Sequence, residues 1–214
     1  MKTPYREEST AIRSNVFSNL KEGAMYIWRE DRIILHLITM NVIVTSIFLP
    51  LPALLPAYTS DVLGRNADIG GVLMAAMGAG GVIATILIAS KGFFANKGLV
   101  GLLALVSGSG ALLLLSQSYW LALSLVAMAI FGVSQSHFMV SNQTLVQSLI
   151  PDALRGRITS IWLLENALGP LAIFFTGMFM DFYSTRGAMT FISSGSLIAS
   201  LFLIATLRQV RRLE

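Results

Sequence analysis

The stretch "IGGVLMAAMGAGGVIATILIAS", residues 69–90, runs without one charged side chain. About 20 largely apolar residues in a helix cross roughly 30 Å of hydrocarbon, where the backbone has only itself to hydrogen-bond. Five further windows of this kind lie along the chain: Ile33 to Tyr58, Gly98 to Leu115, Trp120 to Leu149, Ile158 to Met180 and Gly187 to Leu207. The connections between them are short. Of the 214 residues, 55% are hydrophobic and 12% charged, and the mean hydropathy is +0.72. That composition excludes an ordinary soluble domain. The expected fold is all-α and integral to a membrane. Residues 1–32 form a cytosolic tail with a connector helix, 33–207 a bundle of six transmembrane helices, and 208–214 a cytosolic basic tail.

A net charge of +4 on its own could suggest nucleic acid, so the placement of the charge decides its meaning. With both termini cytosolic, only Arg65 and Arg186 of the 15 basic residues fall in outer loops. That bias orients membrane helices, and it leaves no basic face for nucleic acid. The chain has no cysteine, which removes disulfide scaffolds, thiolate metal sites and cysteine nucleophiles. No signal peptide is expected, because the first 32 residues carry six Lys or Arg and five acids with no long apolar core. Within that tail, Phe17, Leu20, Ala24, Ile27 and Trp28 recur at helical spacing between Lys21, Glu22, Arg29 and Glu30. The pattern predicts an amphipathic helix on the inner membrane surface, or a soluble linker helix.

The second span carries two strips of small residues, Gly71, Ala75, Ala79 and Ala76, Gly80, Ala84, spaced for close helix packing. Its "GAGG" at 78–81 is no phosphate cradle, having neither a preceding strand nor a following Lys-Ser/Thr. "SGSG" at 107–110 could recruit His137 in an intramembrane serine protease, but Ser107 stands where such a site wants glycine, and packing explains it better. No enzyme activity and no cofactor are expected. The fourth span is the most polar. Ser134, His137, Ser141, Thr144 and Ser148 share one strip, and Gln135 and Asn142 share another. Such strips face protein or water, and two readings stay open: interhelical hydrogen bonds, or a solute path. The first span adds His36, Thr39, Asn41, Thr45 and Ser46, then Pro50, Pro52 and Pro56, which predict a bend or an irregular outer half. In the fifth span, Glu165 lies seven residues beyond Ile158, about 10 Å deep, with Asn166 beside it. Asn142 sits at a similar depth and is its expected partner. Such a carboxyl is either a structural hydrogen-bonding group or a proton-coupling site.

The segment "NQTLVQSLIPDALRGR", residues 142–157, follows four spans and precedes two. With its P-D-x-x-R-G-R loop, the Gly-rich second span and the entry segment "NLKEGAMYIWREDRI", the chain resembles the C-terminal half of a major facilitator superfamily transporter. The similarity is to the drug and siderophore exporter branch, which includes enterobactin-exporter-like proteins. The family's cytosolic G-x-x-x-D-R-x-G-R-R signature has only a degenerate echo in "KGFFANKGLVG", where Asn96 takes the Asp position.

The resemblance implies one half of a twelve-helix fold, with the substrate path between the halves. Spans one, two, four and five would line the path, and three and six would sit outside. It implies proton-coupled export of a small amphipathic molecule by alternating access, from a bacterial inner membrane. Glu165, Asn166, His137, Gln135, Asn142 and Asn41 would form the substrate and proton pathway. Asp152, Arg155 and Arg157 would form a cytosolic gate loop. The partners would be the lipid bilayer, the small-molecule substrate and a second six-helix half, supplied by a separate chain, a missing N-terminal half or a second copy. The competing expectation is a non-transporting membrane scaffold, a modulatory subunit or an inactive transporter fragment.

Overall fold

A computed structural model of the chain describes residues 36–37, 39–42, 44, 48–91, 96–149, 169–207 and 210–212. The described elements are all helical. Residues 36–48 are helical wherever they are described, up to a bend at Leu49 and Pro50. The chain then restarts as α1 (Leu51–Asp61), followed by α2 (Ile69–Lys91), α3 (Lys97–Gln117), α4 (Leu121–Leu149), α5 (Gly169–Tyr183) and α6 (Thr185–Thr206). A 3-10 turn, Val210–Arg212, is the last described element. Among the described residues, α2, α3, α4 and α6 are long and apolar enough to cross a membrane.

The prolines bend the first span at a definite place. Pro50 occupies the N-cap of α1 and Pro52 its first turn, where a missing N–H costs nothing, while Pro56 lies inside the helix. The break therefore falls at Leu49 and Pro50, ahead of the proline-containing helix.

Close approach of α2 to α4 depends on glycine. A Cβ at Gly132 would run into the Met77 carbonyl, and one at Gly80 into that of Ala129. Of the two small-residue strips, the one containing Gly80 and Ala84 is buried in this crossing. The other behaves differently: Gly71, Ala75 and Ala79 are exposed, and nothing lies within 4 Å of a Cβ at Gly71. Packing within the chain thus accounts for one strip only.

The serines of α3 are interhelical pins. Ser107 Oγ lies 2.8 Å from Ser134 Oγ on α4, and Ser109 Oγ lies 2.6 Å from Ser196 Oγ on α6. Gln117 donates to Thr190 Oγ1 at 2.9 Å, extending the α3–α6 seam. Phe48 packs edge-on against Phe131 of α4, with ring centroids 4.6 Å apart, and sits over Gly108 of α3. With α4 on one flank and α6 on the other, α3 is the most enclosed of the long helices, and α2 is the least.

The basic C-terminal segment is anchored. Val210 is fully buried, and its carbonyl lies where a Cβ on Gly98 would be. The start of α3 and the end of the chain therefore meet at one end of the bundle, with Tyr58 at the other.

Candidate functional site

Tyr58 is completely buried at its end of the bundle. Its hydroxyl donates to the Leu115 carbonyl at 2.8 Å, with the Ser118 carbonyl at 3.3 Å, and shares a 2.9 Å bond with Ser124 Oγ. Ser124 in turn donates to Ser118 Oγ at 3.0 Å. These bonds pin α1 to the turn between α3 and α4.

Beside them a cavity of about 660 Å³ is lined by Asp61, Tyr119, Asp181, Ser184, Thr185 and Arg186 together with apolar neighbours. Two of its three charges hold helix ends together. Asp61 accepts from the Thr185 hydroxyl and from Ser60; these bonds, Thr185 first, hold its carboxyl below the usual range. The Arg186 guanidinium lies 3.5 Å over the Tyr119 ring and donates to the Ser118 carbonyl at 3.3 Å. Ser184 joins α5 to α6 at a φ of 78°, where its hydroxyl accepts from the Gly187 N–H. Tyr119, Trp120, Phe182 and Tyr183 are all well exposed around this end, as aromatic rings are at a membrane interface.

The two polar strips of α4 separate cleanly. Ser134 and Ser141 face α3, where Ser141 abuts Gly101. The remaining members of that strip bond to their own helix: the protonated His137 Nδ1 donates to the Val133 carbonyl at 3.0 Å, Thr144 to that of Val140 at 2.8 Å and Ser148 to that of Leu145 at 2.9 Å. The strip packs, and its hydrogen-bonding capacity is largely used.

Gln135 and Asn142, seven residues apart and on one face, are not satisfied in this way. Asn142 is 3% exposed, and neither its amide nitrogen nor its amide oxygen has a hydrogen-bond partner among the described residues. Gln135 is half-buried and lines a groove of about 430 Å³ between α2 and α4, with Gly78, Gly81, Thr85 and Ser136. A buried amide without partners costs about 1–3 kcal/mol, so solvent, a ligand, another conformation or a residue outside the described ones supplies them. His36 Nδ1 is the other buried side-chain atom without a partner among the described residues.

Of the expected pathway residues, the structure thus brings Gln135 and Asn142 onto one face and turns His137 toward its own helix. Asn41 is half-buried on the first span. Glu165, Asn166, Asp152, Arg155 and Arg157 lie outside the described residues. Tyr58, Asp61 and Thr185 carry no signal in the sequence. Their partners are brought together across up to 124 residues.

A bundle of helices, four of them among the described residues long and apolar enough to cross a membrane, defines an integral membrane protein. The sequence matches the Major Facilitator Superfamily over residues 2–172, and the chain belongs to that family. It is 30% identical over 167 residues to the Enterobactin exporter EntS of Escherichia coli O1:K1 / APEC, covering 74% of this chain and 38% of that protein. It is 25% identical over 178 residues to the Multidrug efflux pump Tap of Mycolicibacterium fortuitum, covering 81% of this chain and 42% of that one. The chain therefore spans less than half the length of these relatives. No solved structure matches it. The family and the long apolar helices make the chain an integral membrane protein.

Proposed function

We propose that this chain is one six-helix half of an exporter that moves a small amphipathic molecule out of the cell by alternating access against a second half. The family and the names of its relatives support the export direction, and their greater length supports a missing half. One structural observation carries the reading furthest: the amide of Asn142, buried and without a hydrogen-bond partner among the described residues, on the same face of α4 as Gln135. A purely structural helix would bury leucine there.

In this reading Arg65 and Arg186 lie at the outer end, and Lys97 and Arg211 at the cytosolic end, in agreement with the charge bias. Glu165, from the fifth span, carries the proton, which exposure to alternate sides loads and releases. Asn166 stands beside it, and Asp152, Arg155 and Arg157 form the cytosolic gate loop. The test is Glu165→Gln in the assembled exporter. Substrate binding persists and transport driven by a pH gradient disappears; an unchanged rate with unchanged pH dependence would remove Glu165 from the coupling step.

A further inference from the structure

The groove between α2 and α4 has a chemistry specific enough to choose among solutes. It begins at Met77, eight residues into α2 and so about 12 Å from the helix start, near the middle of the membrane. Its floor is backbone. Gly78 has nothing within 4 Å of a Cβ, and Gly81 and Gly132 keep the surface between the two helices flat. Its walls are apolar: Met77, Val82 and Ile86.

Among the described residues, no charged side chain lines the groove, and three polar ones do. Thr85 already donates to the Gly81 carbonyl at 2.9 Å, and Ser136 Oγ is pressed against Gly81. That leaves the Gln135 amide, a donor and an acceptor side by side, without a described partner. The next amide on the same face is Asn142, about 10 Å further along α4 and also without a partner among the described residues. A groove of about 430 Å³ is within the range that holds a drug-sized molecule.

We infer that this groove seats an uncharged, flat, amphipathic solute bearing a hydrogen-bond donor beside an acceptor, such as an amide, sulfonamide or vicinal hydroxyls, anchored on Gln135. The inference rests on the exporter reading for the solute's fate and on the groove alone for its chemistry. A fixed cation would meet neither a carboxylate nor an aromatic face in the groove, so nothing would replace its lost hydration. An anion would likewise meet no cation. A neutral ring lies on the glycine floor between methionine and branched aliphatic walls, and its polar edge takes both hydrogen bonds of the amide.

Two planar fluorophores of similar size separate the possibilities: uncharged dansylamide, and ethidium, a permanent cation. The full chain in lipid nanodiscs binds dansylamide saturably and ethidium far more weakly. Gln135→Leu weakens dansylamide about five- to tenfold, the effect of losing a hydrogen bond. Gly78→Leu fills the groove and removes the binding, while Gln135→Glu admits ethidium, with the helical circular dichroism signal retained in each variant. The inference is overturned by absence of saturable dansylamide binding, by equal affinity for ethidium, or by binding that neither Gln135→Leu nor Gly78→Leu alters. Binding is read at equilibrium, so its outcome is distinct from that of transport. Gln135-dependent binding in an assembled protein that moves nothing would sink the exporter reading alone. Proton-driven export of dansylamide that ignores both substitutions would sink the groove alone.

Discussion

At the Tyr58 end of the bundle, a phenol, a carboxylate and a guanidinium each have named partners on other helices or turns. On α4, two turns of helix apart, the amides of Gln135 and Asn142 have none among the described residues. Both regions are polar in a chain that is otherwise built for hydrocarbon, and the difference lies in satisfaction. The first region converts polar groups into fastening: α1 to the α3–α4 turn, and α1 to the start of α6. The second keeps hydrogen-bonding capacity in reserve at a point where reserve is costly. Fastening belongs to the frame and reserve to the part that meets something else.

The largest expected effect tests whether the amide strip stands on a rigid support. Gly132→Val places a side chain against the Met77 backbone, which no rotamer change relieves. It costs about 3 kcal/mol or more, a fall of roughly 10 °C in the thermal midpoint in detergent. Gly71→Ala, on the uncovered strip of the same helix pair, leaves the midpoint within about 2 °C. Equal losses would show that the crossing is not where the two helices touch.

Next comes the frame itself. Tyr58→Phe keeps the ring but strips the Leu115 carbonyl and Ser124 of a buried partner, at about 1–3 kcal/mol in the same melting experiment. Asn142→Leu has the opposite sign. It removes two hydrogen-bonding atoms that are unmet among the described residues and raises the midpoint, by about 1–2 kcal/mol of added stability, while transport by the assembled exporter is lost. Should Asn142→Leu destabilise the chain as Tyr58→Phe does, the contrast between fastening and reserve disappears.

The smallest effect is a pH dependence at the Tyr58 end. The Thr185 and Ser60 hydroxyls lower the folded-state pKa of Asp61. Its bonds therefore contribute stability above the unfolded-state pKa and lose it as pH falls through the folded one. Asp61 is almost wholly solvated, so the contribution is small. Thr185→Val lowers the midpoint slightly at neutral pH, and its difference from the parent protein closes in acid. A difference that is constant with pH would assign the effect to packing.

Much of the fold was legible in one dimension. Hydropathy over a membrane's width is a local property, because a bilayer acts on each segment separately, and so is the charge bias that sets 13 of the 15 basic residues on one side in the expected topology. The helical period likewise separated the two polar strips of α4, since residues seven apart share a face whatever the neighbours are. The period says nothing about who the neighbours are. Packing placed Ser134 against Ser107 and returned His137 to its own backbone, while Asn142 was left without a partner among the described residues. In the same way, nothing local in the sequence singles out Tyr58, and Val210 reads as part of a basic tail. Burial against Leu115 and Gly98 decided otherwise, because contacts across the bundle depend on distances that no local pattern encodes.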